Sequence, residues 1–162
     1  MTVDIGDIIT KEPLTVMDKE KGPVLISLFD MSKDKRIVLV ALPGAFTPTC
    51  HRNHLPGYVK DYESFKGQGI DEVYCVSVND IYVMEAWSDS QNSKGKVVML
   101  ADGGAKFTKS IGMDVDLELF GMGTRSKRYS MLIENTVIKV INIEIKPGSA
   151  EISGSKKMLE DL

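Results

Sequence analysis

The sequence predicts an α/β fold. A central mixed β-sheet is flanked by helices, with an N-terminal hairpin and an insertion, in a single domain over residues 1–162. Three observations predict it. Two runs, "RIVLVAL" (36–42) and "DEVYCVSV" (71–78), are nearly continuous in apolar and β-branched residues, as strands covered on both faces are. The segments that follow them carry apolar residues at helical spacing instead of alternation. Two later runs, "RYSMLIEN" and "TVIKVINIEI", read as a hairpin that turns at Asn135.

The elements follow in order. "PVLISLFD" (23–30) reads as a strand, or as half of the N-terminal hairpin. Pro43-Gly44 stops the strand at 36–42. Thr47 is placed to cap a helix, Pro48 suits its first position, and Cys50 then falls in the first turn. Pro56 interrupts that helix with a kink. Tyr58, Val59, Tyr62 and Phe65 keep the helical spacing until Gly67 and Gly69 end it. After the strand at 71–78, Asn79 or Asp80 caps a helix with Val83, Met84 and Trp87 on one face. "KVVMLA" (96–101) is a strand, "DGG" a turn, and "AKFTKSIG" (105–112) a short helix closed by glycine. "SGSKKMLEDL" ends the chain as a helix capped by Ser153 or Ser155. Parallel strands with helical crossovers, then a hairpin and a helix, form the thioredoxin-like arrangement. In such sheets the chemistry sits at the carboxyl ends of the strands, where Cys50 falls.

Bulk properties exclude several classes. A net charge of −3 gives no reason to expect a nucleic-acid partner or an anionic membrane. The one basic cluster, "RSKR" (125–128), is short and ordinarily a solvated face. Two cysteines are too few for a secreted disulfide framework. With two histidines, His51 and His54, they also lack the spacing of a zinc site. No apolar run approaches membrane-spanning length, and the first residues lack a basic segment followed by an apolar one. Cytoplasm is the default compartment, an organelle remaining open if a leader is removed.

Cys50 is the candidate nucleophile. A free thiol titrates near ~8.5, so only about 3% is thiolate at neutral pH. The first turn of a helix presents unpaired N–H groups and positive partial charge, and both favour the thiolate. A nearby arginine favours it further. Attack on a peroxide displaces hydroxide or alkoxide, so donors fixed along the O–O bond lower the barrier as an oxyanion hole does. Thr47, one helical turn before Cys50, carries a hydroxyl that can accept and donate. Pro43 can shield the thiolate from water. The plainer readings stand beside these: Cys50 a buried inert thiol, Thr47 a simple cap, Pro43-Gly44 a strand stop, Arg128 an edge charge. His51 reads as solvated and His54 as helix packing.

"PGAFTPTC" (43–50) resembles the Pro-x-x-x-Thr-x-x-Cys motif of the peroxiredoxins. With "HRNHLPGYV" after it, "CVSVND" (75–80) and "RSKRYSM" (125–131), the chain resembles the type II, or fifth, peroxiredoxin subfamily over about residues 36–145. The resemblance implies that Cys50 is the peroxidatic cysteine and Thr47 the peroxide-binding threonine. It makes Pro43 the shielding proline, Arg128 the arginine on thiolate and substrate, and Gly44 a pocket backbone. His54 is usual in the subfamily, His51 less so. It further implies a thioredoxin fold, no metal or organic cofactor, and a homodimer with Phe46, Leu119, Phe120 and the "GMG" turn near its interface. The substrates would be hydrogen peroxide and small organic hydroperoxides, and the role antioxidant.

The resolving thiol stays open. Animal members carry one near the C-terminus, where this chain reads "GSAEISGSKK" with Ser153 at about that place. Plant-type and some parasite members, which this chain resembles, lack it. Cys75 lies mid-strand, roughly 10 Å below the strand's carboxyl end. A disulfide needs Cα atoms within about 7 Å, so pairing with Cys50 requires local unfolding. Cys75 therefore reads first as a structural thiol and second as a resolving one. The preferred resolvent is external, glutathione with glutaredoxin, or thioredoxin. A redox sensor, relay or holdase using the same cysteine without turnover is the alternative. A thiol–disulfide oxidoreductase is disfavoured, since no Cys-x-x-Cys pair is present.

Overall fold

The computed structural model describes residues 1–146 and 148–162. Its centre is a seven-stranded mixed sheet. Three parallel strands form the middle: β3 (Arg36–Ala41), β4 (Glu72–Ser77) and β5 (Val97–Ala101). The N-terminal hairpin, β1 (Leu14–Asp18) with β2 (Gly22–Ile26), pairs antiparallel onto β5. On the other side, β8 (Tyr129–Glu134) pairs antiparallel with β3, and β9 (Val137–Ile143) closes that edge. Asn135 and Thr136, both at positive φ, make the tight turn between them. The insertion carries a two-stranded sheet of β6 (Asp114–Asp116) and β7 (Thr124–Ser126).

Alternation along the strands divides the core into two layers. Val38, Val40, Val73 and Cys75 face one layer, with Leu55, Tyr58, Phe65, Met84 and Trp87 from the helices. Ile37, Leu39, Tyr74 and Val76 face the other, with Leu28, Phe107 and Ile111. The helices in chain order are α1 (Leu28–Met31), α2 (Leu55–Lys60), α3 (Tyr62–Gly67), α4 (Ile81–Gln91), α5 (Lys106–Ser110) and α6 (Ser155–Asp161).

Two local expectations are corrected, and two others take a definite form. Residues 28–31 do not extend a strand from "PVLISLFD"; Ser27 accepts from the Asp30 N–H at 3.1 Å and starts α1 there. Neither Ser153 nor Ser155 caps α6; its cap position is Gly154, and both serines bond elsewhere. The Pro56 kink takes the form of a π-helical turn over Cys50–His54, closed by Leu55 N–H donating to Cys50 O. Pro56 has no N–H, so the α-type bond to Arg52 is unavailable and the turn widens ahead of it. Of the two candidate caps before α4, Asp80 does the capping, its carboxylate accepting from Val83 N–H at 3.0 Å.

Candidate active site

The loop after β3 is shaped by short-range bonds. Phe46 sits at φ 63°, a left-handed conformation that disfavours a bulky residue. Ala45 N–H donates to Asn79 Oδ1 at 2.9 Å, which ties the loop to the end of β4. Thr47 N–H donates to Gly44 O at 3.4 Å, and the Thr47 hydroxyl donates to the same oxygen at 2.7 Å. Thr47 therefore does not cap the helix with its side chain. Its proton is committed to Gly44, and its lone pairs remain. A Cβ at Gly44 would lie 2.9 Å from Arg125 Nη1 and 3.1 Å from Thr47 Cγ2. Glycine is thus what lets Arg125, whose Nη1 donates to Pro43 O at 3.3 Å, close over the loop.

Cys50 and Arg128, far apart in the chain, meet here. Both are buried, Cys50 completely and Arg128 to 6% exposure. Arg128 Nη1 donates to Cys50 Sγ at 3.2 Å. The same nitrogen lies 3.1 Å from His54 Nδ1. The Arg128 Nε–H, also buried, has no partner among the described residues. An unpaired buried donor costs about 1–3 kcal/mol, so it is a donor still available to a ligand. The reading of Arg128 as an edge charge is corrected: β7 leads into β8 so that its side chain turns inward.

His54 is not mere helix packing. Its Nε2 lies 3.0 Å from Ser153 O and 3.1 Å from Ser153 Oγ. Burial pushes its pKa down to about 3; the bond to Ser153 opposes this and the Arg128 charge adds to it. The imidazole is neutral. A carbonyl oxygen only accepts, so Nε2 bears the hydrogen and Nδ1 accepts from Arg128. His51 is likewise not simply solvated. Its Nδ1 accepts from Trp87 Nε1–H at 3.0 Å, and its ring stacks on Phe46 at 5.7 Å between centroids.

Cys75 occupies the middle of the sheet, in register with Val40 on β3 and Met99 on β5. It is fully buried and faces the same core layer as Cys50. Burial pushes its thiol pKa well up, with the Cys50 charge adding to the shift. Both cysteines are free thiols.

Sequence reasoning missed Tyr58 OH, which donates to Ser153 O at 2.6 Å, and Glu144, which accepts from Ser153. Only Ser153 carried a signal, as the residue standing where some relatives of the resembled subfamily have a cysteine. Arg125 was visible within the basic cluster, but not its closure onto Pro43.

The chain is similar to known proteins over nearly its whole length. The Redoxin family matches residues 10–159. Peroxiredoxin-2C of Oryza sativa subsp. japonica is 39% identical over 160 residues, covering 99% of this chain and 98% of the relative. The chloroplastic Peroxiredoxin-2E of Arabidopsis thaliana is 37% identical, covering 99% and 70%. Among solved structures, reduced Prx3 in complex with hydrogen peroxide from Vibrio vulnificus superposes with a TM-score of 0.93 at 41% identity over 98% of each chain. The Plasmodium falciparum antioxidant protein, a 1-Cys peroxiredoxin, gives 0.88 at 31%, covering 99% of this chain and 100% of that one. The resemblance read from three short blocks extends over nearly the whole sequence, and the chain belongs to the redoxin family and, within it, to the type II peroxiredoxins, which are thiol-dependent peroxidases.

Proposed function

We propose that the chain reduces hydrogen peroxide and small alkyl hydroperoxides through Cys50, with an external thiol completing the cycle. The observation that carries this reading is the buried Arg128 Nη1–H on Cys50 Sγ at 3.2 Å, at the start of a helix. The guanidinium donates straight to the sulfur, so a charge-assisted donor is already in place as the sulfur reacts. The thiolate attacks one peroxide oxygen, the S–O bond forms, and the O–O bond breaks. Hydroxide or alkoxide leaves and takes a proton to become water or alcohol; Cys50 becomes the sulfenic acid. Thr47 accepts from the peroxide O–H and orients it, because its own proton is held by Gly44 O. The unpaired Arg128 Nε–H is a donor for the oxygen on which charge develops. Pro43 and Gly44 frame the loop and keep water from the sulfur.

A thiol then condenses with the sulfenic acid, releasing water and leaving a mixed disulfide on Cys50. A second thiol attacks that disulfide and frees Cys50 as the thiol. The reductant in this reading is glutathione with glutaredoxin, or thioredoxin. The depth of Cys75 and its raised pKa support a structural role over a resolving one. Full burial of Cys50 suits a small oxidant, whereas a thiol reductant needs the helix start to open.

The proposal includes a homodimer. Its support is three large apolar side chains left exposed, Phe46, Leu119 and Phe120, and the 121–123 turn, whose Met122 O accepts from Arg125 beside the active-site loop. The place of action in this reading is the cytoplasm, although one chloroplastic and one mitochondrial relative are each 37% identical; fractionation of the tagged protein decides it.

The test is consumption of hydrogen peroxide and tert-butyl hydroperoxide with either reductant supply, for the wild type and Cys50→Ser. Turnover that vanishes in the variant supports the peroxidase, and the faster supply identifies the route. No turnover with either supply overturns it in favour of a sensor or holdase.

A further inference from the structure

We propose that Glu144 and Ser153 are positioning residues for the Cys50–Arg128 pair, acting through His54. The inference rests on the reading of Cys50 as the reacting thiol. It is carried by a chain of hydrogen bonds in which every proton can be placed. Glu144 Oε1 accepts from Ser153 N–H at 2.8 Å and from Ser153 Oγ–H at 3.1 Å. With its proton committed to Glu144, Ser153 Oγ can only accept from His54 Nε2–H, as does Ser153 O. Tyr58 OH donates to that same carbonyl at 2.6 Å. His54 Nδ1 is thereby left as an acceptor, and Arg128 Nη1 gives it one hydrogen and the Cys50 sulfur the other. A carboxylate at the far end fixes the direction of the whole chain.

Glu144 grips Arg128 from its backbone as well: Glu144 N–H donates to Arg128 O at 2.9 Å. No carboxylate pairs with the Arg128 guanidinium among the described residues, and the His54 ring is the side chain that shares its Nη1 with Cys50. Ser153 is completely buried and gives no cap to the helix that follows, which removes the ordinary reason for a serine there. The residue at the place of a resolving cysteine thus serves the arginine here.

The experiment uses the full chain with Glu144→Ala, Glu144→Gln and Ser153→Ala. The readouts are the second-order rate of Cys50 oxidation by hydrogen peroxide, the rate of Cys50 alkylation by iodoacetamide at neutral pH, and Tm. Glu144→Ala is expected to slow oxidation about tenfold and to slow alkylation too, with little change in Tm, because a reacting pair loses rate steeply when its geometry slackens. Glu144→Gln keeps an oxygen that accepts both Ser153 bonds and is expected within about threefold of wild type. Wild-type rates in Glu144→Ala overturn the inference. So does an equal fall in rate and Tm in both Glu144 variants, which marks a purely structural tie. Should Glu144→Ala not fold, Ser153→Ala decides in its place: slower oxidation and alkylation at unchanged Tm support the inference, and wild-type rates overturn it. A wild type that consumes no peroxide defeats the enzymatic reading alone, since alkylation still reports on the arginine.

Discussion

Arg128 reaches Cys50 across 78 residues of chain and places its Nη1 3.2 Å from the sulfur. Two elements make this possible. The start of β8 lies beside the end of β3, with Tyr129 in register with Ala41. The π-helical turn after that strand then brings Cys50 and His54 together onto the guanidinium. A charge-assisted donor on a sulfur inside a buried site works against little dielectric screening, so its geometry carries large energetic weight.

Arg128→Lys is therefore expected to behave as a severe substitution. Lysine keeps the charge but loses the planar fork that serves sulfur and imidazole from one nitrogen while leaving Nε–H free. The second-order rate of peroxide reduction should fall on the order of 10²-fold, the usual loss when one transition-state donor goes. Stopped-flow oxidation of the reduced variant measures it. A fall below about threefold would mean that charge alone suffices, without the fork.

Thr47 is best tested by shape. Thr47→Val keeps the methyl near Gly44 but removes the hydroxyl that donates to Gly44 O. Thr47→Ser keeps the hydroxyl. The valine variant should lose at least about tenfold in rate with hydrogen peroxide while serine stays within a few-fold. Equal losses in both would assign the residue to packing of the turn.

Cys75 predicts a split between stability and activity. Cys75→Ser puts a hydroxyl in the middle of an apolar layer and should cost about 1–3 kcal/mol by denaturant unfolding. Cys75→Ala leaves a small void and should cost less than large core truncations do. Both should keep peroxidase turnover with glutathione and glutaredoxin. A folded Cys75 variant without turnover, alongside normal sulfenic acid formation, would make Cys75 the resolving thiol.

What was legible in the sequence divides by range. Pro43, Gly44, Thr47 and Cys50 lie within eight consecutive residues, so residue types and spacing were enough to place them together. The central strands announced themselves by β-branched runs, and the last hairpin by Asn135, which sits at positive φ in its turn. Arg128 was legible only by resemblance, because nothing local says which way a charge at a strand start will turn. The partners of His54 lie 74 and 99 residues away and leave no local trace. The stretch "SLFD" was misread because four residues carry too little periodicity to separate strand from helix, and the Ser27 cap decided it. The π turn follows from Pro56, whose kink was expected, but its width depends on the Leu55 bond back to Cys50.

His54 makes stability depend on pH in a definite direction. In the folded chain its pKa is pushed down to about 3, first by burial. In the unfolded chain an imidazole titrates near ~6.5. The folded value is the lower one, so below pH ~6.5 the unfolded chain binds a proton that the folded chain refuses. Stability from this residue is complete above that pH and falls as pH drops toward 3, at up to about 1.4 kcal/mol per pH unit. Carboxylates protonate in the lower part of the same window, so the difference between two proteins is the useful quantity. Unfolding midpoints in urea between pH 7 and 5 should decline more steeply for wild type than for His54→Gln, which cannot titrate. Coincident slopes would mean that the folded imidazole takes its proton at the ordinary pH. It could not then accept from Arg128 at Nδ1, and the orientation of the guanidinium toward Cys50 would need another cause.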